Sequence, residues 1–330
     1  MSSRADRSVA APHRTALPAV WALVALLALA VLPKAATAQE KLATACQQAG
    51  GSTLRCTEAA TTARAVQGHL GLMSGLGSEV PGSAGTLGRR LGTTPRVAVS
   101  GRVGFTDVGV PDPSDAGEGP AREAGFILPS LQGQVALGLF DGFSPMPTVG
   151  GVLSVDLLGG AGVVFFPKGQ GFDGSVTQLS FGARVGLLRE SFTLPGVAVS
   201  LTRRLPGPVT LGALTAGDRA SVTVDPGVTS VRATVGKDLL SVGVLAGLGY
   251  DRYDGDAILR LPDVPEVRDD SFTASRTLFF GGASLNFLIL QLSSELGWAT
   301  GFSALDAYRN VPYDVTGGTL YGSLAFRLTL

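Results

Sequence analysis

Nine charged side chains sit at alternate positions of otherwise apolar segments: Arg102, Asp156, Arg184, Arg204, Arg232, Asp251, Arg276, Glu295 and Arg327. In an extended chain successive side chains point to opposite faces. Each of these residues is therefore predicted to turn away from its apolar neighbours. Six are positive and three are negative. Charges enclosed in a low-dielectric interior must be paired or wet. One reading is a salt-bridge network that fills an interior and fixes strand register. A sharper one is a narrow, weakly anion-preferring pore lined by the surplus arginines.

The residue types that catalysis needs are scarce. The chain has two histidines, His13 and His69, and none between residues 96 and 330. A His-dependent triad is therefore excluded from that region. No Gly-x-Ser-x-Gly elbow occurs either. A carboxylate-only mechanism would need a pair such as Asp156 and Glu295. The chain is read as non-enzymatic, and no cofactor is expected. Gly159-Gly160-Ala161-Gly162 has no following helix and no Lys-Ser/Thr, so it reads as a glycine cluster in a strand and not as a phosphate loop. Asp254-Gly255-Asp256, in the predicted loop 252–274, is a weak candidate for gripping a divalent cation through oxygens. A solvated acidic loop is the simpler reading.

Length and composition narrow the rest. Three hundred and thirty residues with 26 bases and 26 acids leave no surplus positive charge for a nucleic-acid partner. Glycine is abundant, at 46 residues, but has no three-residue period, which excludes collagen. The 45% hydrophobic content excludes wholesale disorder.

The first 38 residues resemble an export leader. Arg4, Arg7 and Arg14 precede an apolar run from Ala16 to Leu32, and Ala36-Thr37-Ala38 fits a small-x-small cleavage site before Gln39. The leader holds four bases and one acid, so the remainder carries 22 bases and 25 acids. No later stretch is apolar for the length a membrane helix requires. The two cysteines, Cys46 and Cys56, lie shortly after the leader. In an exported chain they are expected to form a disulfide.

Residues 39–95 differ in pattern from the rest of the chain. Ala59, Ala63, Val66, Leu70 and Met73 share one helical face, which predicts a helix over 57–74. Gly68 and Gly71 weaken that helix, and Gly75 ends it. Residues 74–95 read as a linker rich in Gly, Ser, Thr and Pro.

From Arg96 onward the period changes to two. Ten segments alternate apolar with small or polar residues: 96–107, 126–140, 150–164, 177–188, 197–204, 229–237, 240–251, 275–286, 288–299 and 319–330. Most have the length of a tilted membrane strand, roughly 9–11 residues. Their connections alternate between short and long, as short inner turns and long outer loops do. An even strand number returns both ends of the sheet to one side. Phe143, Phe192 and Phe287 fall near short turns, and Phe165, Tyr250, Trp298 and Phe302 near long ones, as in interfacial girdles. The fold expected is an all-β antiparallel transmembrane β-barrel of about ten strands, preceded by a short helical segment. Eight or twelve strands are the alternatives, because 205–228 has room for another hairpin.

The last strand alternates Leu320, Gly322, Leu324, Phe326, Leu328 and Leu330 with Thr319, Tyr321, Ser323, Ala325, Arg327 and Thr329. It resembles the C-terminal assembly signal of Gram-negative outer-membrane β-barrel proteins. There the final residue is usually Phe or Trp; here it is Leu330, with Phe326 four residues earlier. The resemblance covers the architecture of residues 96–330 and no specific transporter or enzyme family. It implies a cell outer-membrane location, contact with membrane lipid and lipopolysaccharide, and handling by the barrel-assembly machinery. The interior of a ten-stranded barrel is expected to be filled by side chains, leaving little room for a helix about 10 Å across. The helix at 57–74 is therefore predicted to lie on the periplasmic side, beneath the barrel. Two functions are compatible with these features. One is a narrow passive channel for small solutes. The other is a non-conducting structural or adhesive barrel that binds partners through its outer loops or N-terminal segment. The oligomeric state is left open.

Overall fold

A computed structural model describes residues 36–90, 94–112, 114–115, 117, 119–144, 150–192, 194–302 and 317–330. All but the last three residues of the predicted leader lie outside this set. So do parts of the predicted links 141–149 and 300–318.

Ten strands run in chain order: β1 (Val97–Pro111), β2 (Glu123–Phe140), β3 (Ser154–Val164), β4 (Val176–Leu188), β5 (Gly196–Pro206), β6 (Ser221–Leu239), β7 (Val242–Leu261), β8 (Ala274–Phe287), β9 (Leu290–Ala299) and β10 (Thr319–Thr329). Each pairs antiparallel with the next, and β10 pairs with β1, so the sheet closes. Closure leaves none of the ten with an unpaired edge along its paired span. Two short extra strands extend the wall at the long-loop end. Val209–Leu211 pairs with β6, and Val264–Asp269 pairs with β7. This resolves the strand count at ten in the closed ring.

Period-two alternation sets the two faces. Val103, Phe105, Leu131, Leu157, Leu179, Leu201, Leu248, Leu296, Leu324 and Phe326 all point outward and are exposed. Ser100, Ser130, Ser200, Ser230, Ser284 and Ser323 point inward and are buried. An exterior this apolar is stable in hydrocarbon and not in water. Among the described residues no helix is long and apolar enough to cross a membrane.

Several strands run past their predicted ends, notably β6 and β7. The sequence places turn-forming residues there, at Asp225-Pro226-Gly227 and Asp254-Gly255-Asp256. In the fold these two breakers pair with each other, Pro226 opposite Gly255 and Gly227 opposite Asp254. Gly255 has φ 149, and a Cβ there would overlap the Asp225 carbonyl oxygen. The hairpin thus continues through what looks like a loop. The inward residues of these extensions are apolar. Val108, Val110, Leu128, Val164, Val222, Val224 and Leu259 form a collar at the long-loop end.

Two helices precede the barrel, α1 (Ala36–Gln48) and α2 (Thr53–Ser74). Cys46 and Cys56 form the expected disulfide and clamp the turn between them. Ser52 caps α2 by accepting the amide of Arg55 on its side chain. The alanine-rich run beyond it favours helix. Gly75 ends it, with its N–H on the Leu72 carbonyl.

The predicted position of this helix is wrong. It runs through the barrel and does not sit beneath it. Every residue from Cys56 to Ser74 is buried, so the helix has no solvent face. The reason is volume. The inward faces of the strands carry small side chains, and α2 is slim where the wall is not. Gly68 lies against Phe302, Gly71 against Tyr253, and Gly75 against Arg204. The glycines that weaken the helix in isolation are its points of closest approach to the wall. Residues 75–88 then run down to the short-turn end and lead into β1. Ser78, Glu79 and Val80 are buried, so this stretch is not a solvated linker.

The ends of the sheet do meet at the short-turn end, where Val97 and Leu330 exchange backbone hydrogen bonds. The arm that precedes the sheet begins at the opposite end. There α1 packs beside Val264 in the long-loop collar.

Candidate functional site

The last turn of a helix leaves carbonyls without intrahelical partners, and the helix dipole makes that end negative. The end of α2 lies midway down the lumen, out of reach of bulk water. The barrel wall supplies the donors. Gln132 on β2 donates to Met73 O at 2.6 Å, and Gln178 on β4 donates to Ser74 O at 3.0 Å. Arg232 on β6 donates to Gly75 O at 3.1 Å and to Gly77 O at 3.3 Å. Arg102 on β1 donates to Ser78 O at 2.6 Å and also to Leu76 O.

Lower down the same pattern continues. Arg327 on β10 reaches Pro81 O at 3.3 Å, Gln291 on β9 reaches Gly82 O at 3.0 Å, and Arg184 on β4 reaches Ser83 O at 3.3 Å. Higher up, Arg276 on β8 donates to Thr300 O at 2.7 Å and Thr319 Oγ1 at 2.9 Å, with its guanidinium 4.7 Å from the Phe302 ring centre. Arg64 on α2 lies 4.4 Å from the Phe272 ring centre, and its guanidinium donates to Thr273 O at 2.7 Å.

The carboxylates complete the network. Asp156 accepts from Arg184 at 2.7 Å and from the Leu87 amide at 3.0 Å. Asp251 accepts from Arg232 at 2.5 Å and from Ser230 at 2.5 Å. Glu295 lies 3.5 Å from Arg102 and accepts the Ser78 amide at 3.0 Å. All nine residues singled out in the sequence point inward. They converge on the arm, not on an open bore.

Sequence reasoning missed the arm's own contribution. Glu79 pairs with Arg204 on β5 and accepts from Thr202 at 3.0 Å. It is the only acid between Glu58 and Asp107. The surplus of inward arginines was the available signal. Six cations against three anions need further acceptors. Glu79 and the carbonyls of 75–83 provide them, so the surplus does not require a pore.

Little space remains. Between Glu79 and the wall at Ser100, Gln134, Ser180 and Thr202 the free volume is about 10 Å³, room for about one water. A larger recess of about 370 Å³ lies beside Ala65 and His69 of α2 at the long-loop end.

A second polar cluster lies at the long-loop end. Glu58 on α2 accepts the Ala121 amide at 2.7 Å and lies 3.2 Å from Arg219. Arg219 also donates to Asp115 O and Gly119 O, both at 2.9 Å. Asp115 in turn accepts the amides of Gly117 and Arg122, each at 3.0 Å, which hold its carboxyl below the ordinary carboxylate range.

The two residues of the candidate cation pair lie in a strand. Asp254 and Asp256 project from the continuous β7 ladder and not from a loop, and Asp254 is held by Arg203 at 2.8 Å. Among the described residues no three His, Cys, Asp or Glu side chains gather as a metal site. The Gly159–Gly162 cluster lies within β3.

The architecture is that of an outer-membrane β-barrel. No family model matches the chain, and no curated protein matches its sequence. Among solved structures it is similar to the translocator domain of autotransporter NalP from Neisseria meningitidis. That likeness has 12% identity over 71% of this chain and 87% of the other, with a TM-score of 0.39. It is also similar to the outer membrane protease OmpT from Escherichia coli, at 11% identity over 72% and 96%, with a TM-score of 0.35. Neisserial surface protein A gives 12% identity over 71% and 96%, with a TM-score of 0.28. At these scores none of the three carries a function or a family over to this chain.

Proposed function

We propose that this is a non-conducting outer-membrane barrel, closed by its own N-terminal arm, which offers partners a disulfide-clamped helical hairpin at its outer mouth. The observation that carries the reading is the capture of α2's terminal carbonyls by Gln132, Gln178 and Arg232. A solute path would have to break these buried bonds, and each released group would then lack a partner. Long loops face outward in barrels of this type, and α1 packs at the long-loop end, which supports an outer position for α1 and the Cys46–Cys56 turn. The C-terminal strand supports handling by the barrel-assembly machinery, and the apolar exterior supports contact with outer-membrane lipid and lipopolysaccharide. Asp156 and Glu295 are each engaged by an arginine, which supports a non-catalytic reading.

Planar-bilayer recording tests the proposal. Purified full-length protein is expected to show no stepwise conductance. The double variant Arg102→Ala, Arg232→Ala is expected to admit intermittent current, because it frees the arm. Steady anion-preferring conductance of the unaltered protein would overturn the closed reading in favour of a narrow channel.

A further inference from the structure

The arm is wider at its outer end than in the lumen. α1 folds back along the first turns of α2: Cys46 is bonded to Cys56, and Gln39 donates to Thr61 Oγ1 at 2.8 Å. The two helices therefore run antiparallel and abreast over residues 39–46 and 56–61. Leu42, Ala43 and Cys46 of α1 share one buried apolar cluster with Cys56, Ala59 and Ala60 of α2. On its other side α1 packs on the extra strand Val264–Asp269.

Below Thr61 α2 continues alone. It packs on β1, β2, β3, β5, β6 and β7. Even a methyl group added at Gly68, Gly71 or Gly75 would overlap Phe302, Tyr253 or Arg204. The lumen is therefore full with one helix in it. A helix with its side chains is about 10–12 Å across, and packed helix axes lie about 8–10 Å apart, so the α1–α2 hairpin is about 20 Å wide. Two helices abreast do not fit where one already touches the wall.

The lower end of the arm continues through residues 75–96 into β1 at the short-turn end. Withdrawal to that side would have to draw α1 through the lumen. With the bridge intact, even a melted arm carries a closed loop from Cys46 to Cys56, which presents two chains side by side. Without the bridge α1 can straighten and follow α2 in single file.

We infer that the Cys46–Cys56 disulfide is a mechanical catch, which keeps the N-terminal hairpin wider than the lumen and so bars the arm from slipping out through the inner end. The inference rests on the arm filling the lumen, as in the proposed closed barrel, and makes no use of conductance.

Removing a disulfide also loosens the unfolded chain, so faster opening alone does not decide. The test puts the lost width back by other means. Full-length Cys46→Ser, Cys56→Ser protein receives Glu40→Cys, on the exposed face of α1, as its one thiol, and biotin is attached there. In detergent micelles, with urea below the unfolding midpoint, protease cutting within residues 75–88 is followed by mass spectrometry. Such cutting tracks the population of the open form, and it is expected to be about tenfold faster or more than in the disulfide-bonded protein. Streptavidin bound to the biotin is too large for the lumen and is expected to restore the slow rate. It sits at the opposite end from the cut, so it does not shield the cleavage sites. Cutting that stays fast with streptavidin bound would overturn the inference, because the arm then leaves outward or the bridge acts only on the unfolded chain. A serine pair cut no faster than the bonded protein would overturn it too. Cys46→Ala, Cys56→Ala, which buries no hydroxyl, repeats the measurement should the serine pair fail to fold. Stepwise conductance of the unaltered protein would sink the closed reading and leave the streptavidin result standing, so the two failures are told apart.

Discussion

Arg232 on β6 and Asp251 on β7 form an ion pair at 2.5 Å with 0% exposure on both sides, and the same guanidinium reaches Gly75 O at the end of α2. One arginine therefore ties two wall strands to the arm that fills them. Breaking a buried pair by removing one partner strands the other charge, at a cost of about 3–5 kcal/mol. Arg232→Ala and Asp251→Ala are each expected to lose about that much in urea unfolding from lipid vesicles. The double variant Arg232→Met, Asp251→Leu should lose far less than the sum.

Glu79 is the acid that the arm contributes to the wall, through Arg204. Glu79→Gln should cost about 3 kcal/mol or more, because Arg204 then remains buried and unpaired. Residues 75–88 are expected to become open to protease before the strands do. Limited proteolysis read by mass spectrometry checks the order. Deleting residues 39–88 removes the acceptors of Arg102, Arg184, Arg204 and Arg232 together. The bare barrel is therefore expected to lose its heat-modifiable gel migration.

Gly71 has the Tyr253 ring where a side chain would go. Overpacking of this kind costs about 1–3 kcal/mol. Gly71→Leu should lower stability by that order, while Gly50→Ala, at a turn with open space around it, should disturb only its local left-handed conformation. Comparing the two midpoints separates lumen fit from general glycine loss.

Asp115 accepts the backbone amides of Gly117 and Arg122, and its carboxyl is held below its ordinary value of 3.8. A lowered folded value means the contribution is present above the ordinary carboxylate range. It is lost as pH falls through the folded value. Protection of the Gly117 and Arg122 amides, taken relative to their free exchange rates at each pH, should therefore hold at neutral pH and fall as acid protonates Asp115. Asp115→Asn should show the lost protection already at pH 7.

Much of the wall was legible in the sequence. Alternation marks all ten strands, from Val97 to Thr329, because period two is imposed by the backbone itself. The same alternation sends Arg102, Asp156, Arg184, Arg204, Arg232, Asp251, Arg276, Glu295 and Arg327 inward. Cysteine spacing and the short loop it closes marked the Cys46–Cys56 bridge.

Two things were decided only by the closed structure. Asp225-Pro226-Gly227 and Asp254-Gly255-Asp256 look like strand ends one at a time. They continue the hairpin because each breaker lies opposite the other, a relation that exists only once register is set. The path of the arm was likewise hidden. Local pattern reports which face of a strand is small and polar, but the width left inside depends on how ten strands close. That width, set by the whole ring, admits a helix at Gly68, Gly71 and Gly75, and so the surplus arginines meet backbone carbonyls in place of a passing anion.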